Sequence, residues 1–217
     1  VTYSGEISAV TAFSKNKENG KLHTDILLNS SQIVLNDTVW NVHPSEISLD
    51  KDSIEIKDFL FEHGKQYIKI NGRIGKTTSD SCIVNLQGVN LLYVMDMIQF
   101  NAVKFEGNAN GRVFISNALS KPVLDARLNV NNFSLNSALL GEADIKGGFD
   151  NEKGRILLDA DIQKENGDFT GVKGYISPKE KGLDLDINAG GTDLSFLQHF
   201  INWYESKFSE QLFPSRD

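Results

Sequence analysis

The feature that most constrains this chain is an alternation of apolar and polar residues with a period of two. Its clearest example is Leu183, Leu185 and Ile187, which are separated by Asp184 and Asp186. Because successive side chains of a strand point to opposite faces, such a segment has one apolar and one polar face. Antiparallel sheets with a single buried face show this pattern. The sequence therefore predicts a mainly β protein built on antiparallel strands.

The same alternation recurs along most of the chain. The apolar members of the alternating segments are Leu22, Ile26, Leu28, Ile47, Leu49, Ile54, Ile56, Ile68, Ile70, Ile74, Leu124, Ala126, Leu128, Val130, Ile156, Leu158, Ala160 and Ile162. A further run of one parity, Tyr3, Gly5, Ile7, Ala9 and Phe13, predicts one more strand near the start of the chain. Turn signals separate the segments, among them Asn110-Gly111, Asp150-Asn151 and Asn166-Gly167.

Two segments depart from this alternation and predict helices. The first follows Asn90 and has helical spacing at Leu91, Val94, Met95 and Ile98. The second follows Asp193, a candidate N-cap, and carries one apolar stripe. That stripe consists of Leu194, Leu197, Phe200, Ile201, Tyr204 and Phe208. We expect a short amphipathic helix in the first place and a longer one in the second.

The predicted helices belong to an internal repeat. Each copy has a glycine in a strand, a second strand and then a helix. The glycines Gly72 and Gly174 are 174 − 72 = 102 positions apart, and the helix caps Asn90 and Asp193 are 193 − 90 = 103 apart. Repeated β-modules favour an elongated stack. We therefore expect two β-modules, residues 1–99 and 100–217, each ending in a helix and together forming one continuous elongated unit.

Composition excludes several classes of protein. The 22 basic and 29 acidic residues give a net charge of −7, which disfavours binding to nucleic-acid phosphates. The single cysteine, Cys82, excludes an internal disulfide. The apolar runs are shorter than the roughly 18–20 residues of a membrane-spanning helix.

The residues with reactive side chains form no pattern typical of catalysis. His23, His43, His63 and His199 are scattered singly, without the spacing of paired metal ligands. The pairs Asp159/Asp161 and Asp184/Asp186 alternate strictly with apolar residues, which favours a solvated sheet face over a carboxylate site. We therefore predict no catalytic residue, no metal and no cofactor, and hence a protein that is not an enzyme.

One segment resembles a known family. It runs from Phe105 through Gly107 and Gly111 to Ile115, continues as Lys121-Pro122-Val123-Leu124-Asp125-Ala126-Arg127-Leu128-Asn129-Val130, and reaches Phe133 and Leu140-Gly141. With the turns and helix starts that follow, this pattern resembles the repeats of the TamB/AsmA-like envelope proteins (translocation and assembly module). The resemblance covers about residues 45–212.

The resemblance implies a fold, a location and a function. It implies a curled, gutter-like antiparallel sheet with a hydrophobic concave face (a "β-taco") in the periplasm, within a parent protein anchored in the inner membrane. The family is implicated in moving phospholipids between the inner and outer membranes and in assembling outer-membrane proteins. The expected partners are therefore phospholipid acyl chains and, through the parent chain, an outer-membrane barrel protein of the BamA type. Because the chain begins at Val1 and shows no membrane anchor, we expect an internal fragment.

The residues expected to line a lipid groove share one strand parity and carry no charge. They are Ile68, Ile70, Ile74, Leu124, Leu128, Val130, Ile156, Leu158, Leu183, Leu185 and Ile187. From the alternation alone, the same side chains could instead meet each other in the closed core of a β-sandwich. A glycan-binding or glycan-processing β-helix or sandwich is the alternative function. A scaffold that pairs strands at an exposed sheet edge is a third possibility.

Overall fold

The computed structural model describes residues 3–15, 20–35, 37–97, 104–164, 166–177, 180 and 182–190. These residues form fifteen strands and one helix. The elements before the helix are β1 (Tyr3–Glu6), β2 (Ala9–Lys15), β3 (Leu22–Leu28), β4 (Ser31–Leu35), β5 (Thr38–Val42), β6 (Ser45–Asp50), β7 (Ser53–His63), β8 (Gln66–Ile74) and β9 (Ser81–Asn90). The helix and the strands after it are α1 (Leu91–Met97), β10 (Phe105–Ser116), β11 (Val123–Leu135), β12 (Ala138–Asp150), β13 (Arg155–Gln163), β14 (Phe169–Ser177) and β15 (Gly182–Gly190).

All fifteen strands belong to one antiparallel sheet that does not close on itself. From β7 to β15, each strand pairs with the strand before it and the strand after it in sequence. The fold class predicted from the alternation, a mainly antiparallel β protein with an open, curled sheet, is confirmed. The sheet also continues across the predicted module boundary, because β9 and β10 pair from Ser81↔Ser116 to Asn90↔Asn108.

The sheet branches at β7. The first half of this strand pairs with β6, and its second half pairs with β5 through Phe61↔Val42 and Glu62↔Asn41. Beyond β6 follow β3 and β2, whereas beyond β5 follow β4 and β1. The first six strands therefore form two separate arms, β2-β3-β6 and β1-β4-β5, and the chain passes repeatedly from one arm to the other.

Side-chain hydrogen bonds hold the point where the chain crosses between the arms. The Ser8 N–H donates to the Ser31 hydroxyl at 2.9 Å, and the Asn29 N–H donates to the Ser8 carbonyl at 2.9 Å. The Asn29 amide also donates to the Ser8 hydroxyl at 3.0 Å. Since these bonds satisfy backbone groups that leave the sheet ladder, the strand can end at Glu6 and restart at Ala9. The single strand predicted from Tyr3 to Phe13 is thus two strands, on different arms.

The repeated glycines share an unusual backbone conformation. Gly72 has φ = 124° and Gly174 has φ = 157°. At both positions a Cβ atom would overlap a backbone carbonyl of the next strand, that of Ser81 and that of Asp184 respectively. The two copies of the sequence repeat are therefore alike in structure at their glycines.

One predicted turn is wrong. Asn110-Gly111 lies inside β10, and Gly111 pairs with Leu86 on one side and Leu128 on the other. Its φ of 137° is a conformation that only glycine adopts readily, and a Cβ there would meet the Arg127 carbonyl. Glycine is required here because two strands approach closely. An Asn-Gly turn also requires a glycine with positive φ, so the sequence alone does not distinguish the two cases.

The first predicted helix is confirmed. Helix α1 runs from Leu91 to Met97, and the Asn90 side-chain oxygen accepts a hydrogen bond from the Leu92 N–H at 2.9 Å, as an N-cap does. The second predicted helix, which starts after Asp193, lies outside the described residues.

Candidate functional site

One face of the sheet carries an unbroken series of apolar side chains, which we call the apolar face. Residues paired across neighbouring antiparallel strands lie on the same face, so the strand register identifies its members. Across β7 to β15, one row of cross-strand partners consists of Phe61, Ile68, Leu86, Gly111, Leu128, Ile145, Ala160, Val172 and Ile187. The next row consists of Phe59, Ile70, Val84, Val113, Ala126, Gly147, Leu158, Gly174 and Leu185. Neither row contains a polar or charged side chain.

The opposite face is charged. Arg127 is paired with Lys146, and the row continues through Asp159, Lys173 and Asp186. The Lys173 ammonium lies 3.4 Å from the Asp159 carboxylate, in a surface ion pair. The aspartates that alternate with Leu and Ile in β15 are exposed. This face is therefore the one that water covers.

The structure brings all eleven predicted groove residues onto the apolar face. Leu128, Leu158, Leu185, Ile68, Ile70 and Ile187 belong to the two rows described above. Leu124 pairs with Ile115, Ile156 and Leu183 both pair with Ile176, and Ile74 pairs with Ile54. Ten of the eleven are only half-buried, whereas side chains in a closed sandwich core lose nearly all contact with water. The exception is Val130.

Val130 lies in the closed part of the apolar face. It is 0% exposed, as are its partners Ala109 and Ala143. Leu91 of helix α1 belongs to the same buried cluster, together with Phe105 and Phe133, whose stacked rings are 6.2 Å apart. Here the chain itself covers the face, and the buried cluster continues to Ala160 of β13 and to Val172 and Ile176 of β14. The accessible part consists of the half-buried members of the neighbouring rows.

A cluster of aromatic rings, which we call the Trp40 cluster, joins helix α1 to the β1-β4-β5 arm. The Trp40 ring stacks on Phe61, with centroids 4.9 Å apart and 19° between the planes. Its centroid lies 5.9 Å from that of His63, and Tyr93 of α1 meets it edge-on at 6.4 Å. Strands β7, β8 and β9 separate Trp40 from α1 in the sheet. The Tyr93 side chain therefore extends from α1 over the apolar face as far as Trp40.

Sequence reasoning missed the Trp40 cluster. The only local signal is the alternation in β5, where Trp40 and Val42 are buried and Val39 is exposed. The partners of Trp40 come from β7 and α1, which are distant in sequence, so no spacing rule connects them.

The candidate reactive residues lie at separate places in the structure and form no common site among the described residues. Cys82 is 2% exposed on the apolar face, between Gly72 and Ile115, and burial raises the pKa of its thiol. A buried thiol of raised pKa behaves as a small apolar side chain. His43 pairs with Glu62 at 2.8 Å, and His63 contacts the Val39 carbonyl at 2.8 Å. Within the described ranges, no group of three His, Cys, Asp or Glu side chains is arranged to hold a metal ion.

His23 bridges two carboxylates on the charged face. Its Nδ1 lies 3.0 Å from Asp50 and its Nε2 lies 3.1 Å from Asp25. The hydrogen bond to Asp50, followed by the charge of Asp25, raises the pKa of His23 above 6.5. The Ser48 hydroxyl donates to Asp25 at 2.8 Å and lowers the pKa of that carboxyl. When it is protonated, the imidazole can donate to both carboxylates and so connects β3 to β6 in the β2-β3-β6 arm.

We expect His23 to stabilise the fold more at acidic pH than at alkaline pH. Because the folded-state pKa is raised, the stabilisation is complete below 6.5 and is lost as pH rises through the folded value. The melting temperature of His23→Gln should therefore fall further below that of the parent protein at about pH 5.5 than at about pH 8.5. His63→Gln, which loses contacts with the Val39 carbonyl and the Trp40 ring but with no carboxylate, is the control. An equal deficit for His23→Gln at both pH values would contradict the prediction.

A concavity lies where the two arms diverge. It is a shallow cleft of about 600 Å³ lined by Glu6, Ser30, Ser31, Gln32, Asn41, Val42, His43 and Glu62. Sugar-binding sites typically stack aromatic rings on the sugar, and no ring other than His43 is among these lining residues. The cleft therefore adds no support to the glycan hypothesis.

In a comparison with known proteins, no protein-family model, curated protein or solved structure matches the chain. Among the described residues, no helix has the length and apolar character needed to cross a membrane.

Proposed function

We propose that this chain is a periplasmic segment of a TamB/AsmA-like bridge protein, and that its apolar face guides phospholipid acyl chains between membranes. One observation carries the proposal. Rows of apolar side chains cross nine strands without a polar residue, and ten of the eleven predicted groove residues there stay half-buried. Covering a surface of this kind with another apolar molecule lowers the free energy, because it removes apolar area from water.

The energetics of such a face suit an acyl chain. Each CH₂ group removed from water contributes about 0.8 kcal/mol, so a chain of ordinary length needs a long, continuous apolar wall. The rows run from strand to strand at about 4.8 Å spacing, so nine strands supply a path of about 40 Å. The charged opposite face stays hydrated, and movement of lipid along the apolar face requires no catalytic group.

Photo-crosslinking tests this function at two adjacent positions. Leu128 lies on the apolar face, whereas Asn129 is exposed on the other face and hydrogen-bonds to Asp144 at 3.1 Å. With a photo-reactive residue at each position in turn, we expect phospholipid adducts at Leu128 and few at Asn129, detected by mass spectrometry of protein extracted gently from its host. Equal adducts at both positions would refute the face assignment. Adducts at neither would refute lipid guidance and favour the scaffold or glycan hypothesis.

A further inference from the structure

Among the residues that the structure describes, none supplies a hydrogen-bond acceptor to the indole N–H of Trp40. Trp40 is 2% exposed and its Nε1 atom is buried, so solvent does not supply an acceptor by ordinary exposure. Leaving a buried N–H unpaired costs about 1–3 kcal/mol, and the great majority of buried polar groups in folded proteins are paired. The unpaired donor is therefore able to accept a partner from another molecule.

The surroundings of this donor restrict the acceptor. Trp40 shares the apolar face with Val42, which pairs with Phe61, and Phe61 pairs with Ile68 at the end of the apolar row. Phe61 and Ile68 are half-buried, so a ligand lying on the row can approach the indole from their side. A ligand that fits both surfaces has a long apolar body and one hydrogen-bond acceptor without a full charge.

We propose that Trp40 binds the ester carbonyl of an acyl chain that lies on the apolar face, so that the site recognises acyl-ester glycerolipids. This inference rests on the proposed function, and it adds a preference of the site for lipids whose chains are joined by an ester. The carbonyl oxygen accepts the indole hydrogen bond while the alkyl chain extends over Phe61 and Ile68.

Tyr93 is the side chain of helix α1 that contacts the indole. It belongs to a seven-residue helix, meets Trp40 edge-on at 6.4 Å and is itself half-buried. In this proposal, rotation of this one side chain admits the ligand to the indole while the stack between Trp40 and Phe61 is kept.

The test compares two lipids that differ only in the carbonyl group. Full-length protein is loaded with a phosphatidylcholine carrying a fluorescent acyl chain, which is then displaced by diester phosphatidylcholine or by its diether analogue of equal chain length. A net hydrogen bond is worth about 0.5–1.5 kcal/mol, so the diester should compete about three- to tenfold better. The variant Trp40→Phe keeps a ring on Phe61 and removes the N–H. In this variant, the two lipids should displace the probe equally well.

The outcomes separate this inference from the function on which it rests. Equal competition by the two lipids in the parent protein, or a diester preference that persists in Trp40→Phe, overturns the role of Trp40 and leaves lipid binding in place. Failure of the fluorescent lipid to bind at all overturns both. If Trp40→Phe does not fold, the same comparison is made with 3-benzothienylalanine at position 40, which keeps the shape of the indole and lacks the N–H.

Discussion

Replacing Leu185 by aspartate should weaken phospholipid binding more than about tenfold. Leu185 ends a row of apolar partners that starts at Phe59 and passes through Leu158. A carboxylate there must be desolvated under an acyl chain, which costs several kcal/mol, or must hold water inside the apolar path. Displacement of the fluorescent phosphatidylcholine measures the loss. Leu128→Asp, on β11 and so four strands away from β15 in the sheet, should have the same effect through the neighbouring row.

Two substitutions in the same strand serve as controls. Asn188→Asp adds an equal charge on the exposed face of β15, and Asp184→Leu removes one from that face. Both should bind lipid as the parent protein does. Circular dichroism establishes that each variant keeps the sheet. A folded Leu185→Asp that binds lipid normally, or an Asn188→Asp that loses binding, would show that the apolar face is not the lipid path.

The second large effect concerns the stability of the sheet. Gly111→Ala should lower the free energy of unfolding by about 3 kcal/mol, because an alanine at this φ is strained and its Cβ overlaps the Arg127 carbonyl. For a chain of this size, the melting temperature should fall by about 6–12 °C. Gly111 is itself exposed, so the loss does not come from burial. Thermal or denaturant unfolding measures it.

Gly148 provides the matched control. It lies in β12, where the nearest atom to an added Cβ is on Leu157 at 3.8 Å, an ordinary contact. Gly148→Ala should change the free energy of unfolding by less than about 1 kcal/mol, with the reduced entropy of the unfolded chain favouring the variant. If both substitutions destabilise the protein equally, close approach of the strands is not what requires Gly111.

The strands and their faces could be predicted from the sequence because both depend on local alternation. A shift of one residue in register would turn Leu185 and its neighbours to water, so a strand with Asp184 and Asp186 on its other face has one acceptable register. That is why eleven residues chosen by parity alone lie on one face. The N-cap at Asn90 is also local, since its bond reaches only to Leu92.

Features that depend on distant residues could not be predicted in this way. The break at Ser8 depends on Asn29 and Ser31, which come from another turn of the chain. The covering of Val130 depends on the position of α1, and the Trp40 cluster depends on three elements meeting. In each case the contact that determines the structure joins residues far apart in the sequence, so no short segment contains both partners.

The branched topology also sets an order of assembly. Among β7 to β15 every pairing joins strands that are consecutive in sequence, so each new strand closes a loop that is short or, between β9 and β10, contains only helix α1 and its flanking residues. The arms lack this advantage, because Gly5 must find Ile33 and Ile26 must find Ile47 across intervening strands that belong to the other arm. The meander should therefore acquire protection from hydrogen exchange first, with β1 and β2 the last strands to join and the first to detach. The surface that we assign to lipid would then exist before the branched end of the sheet has closed.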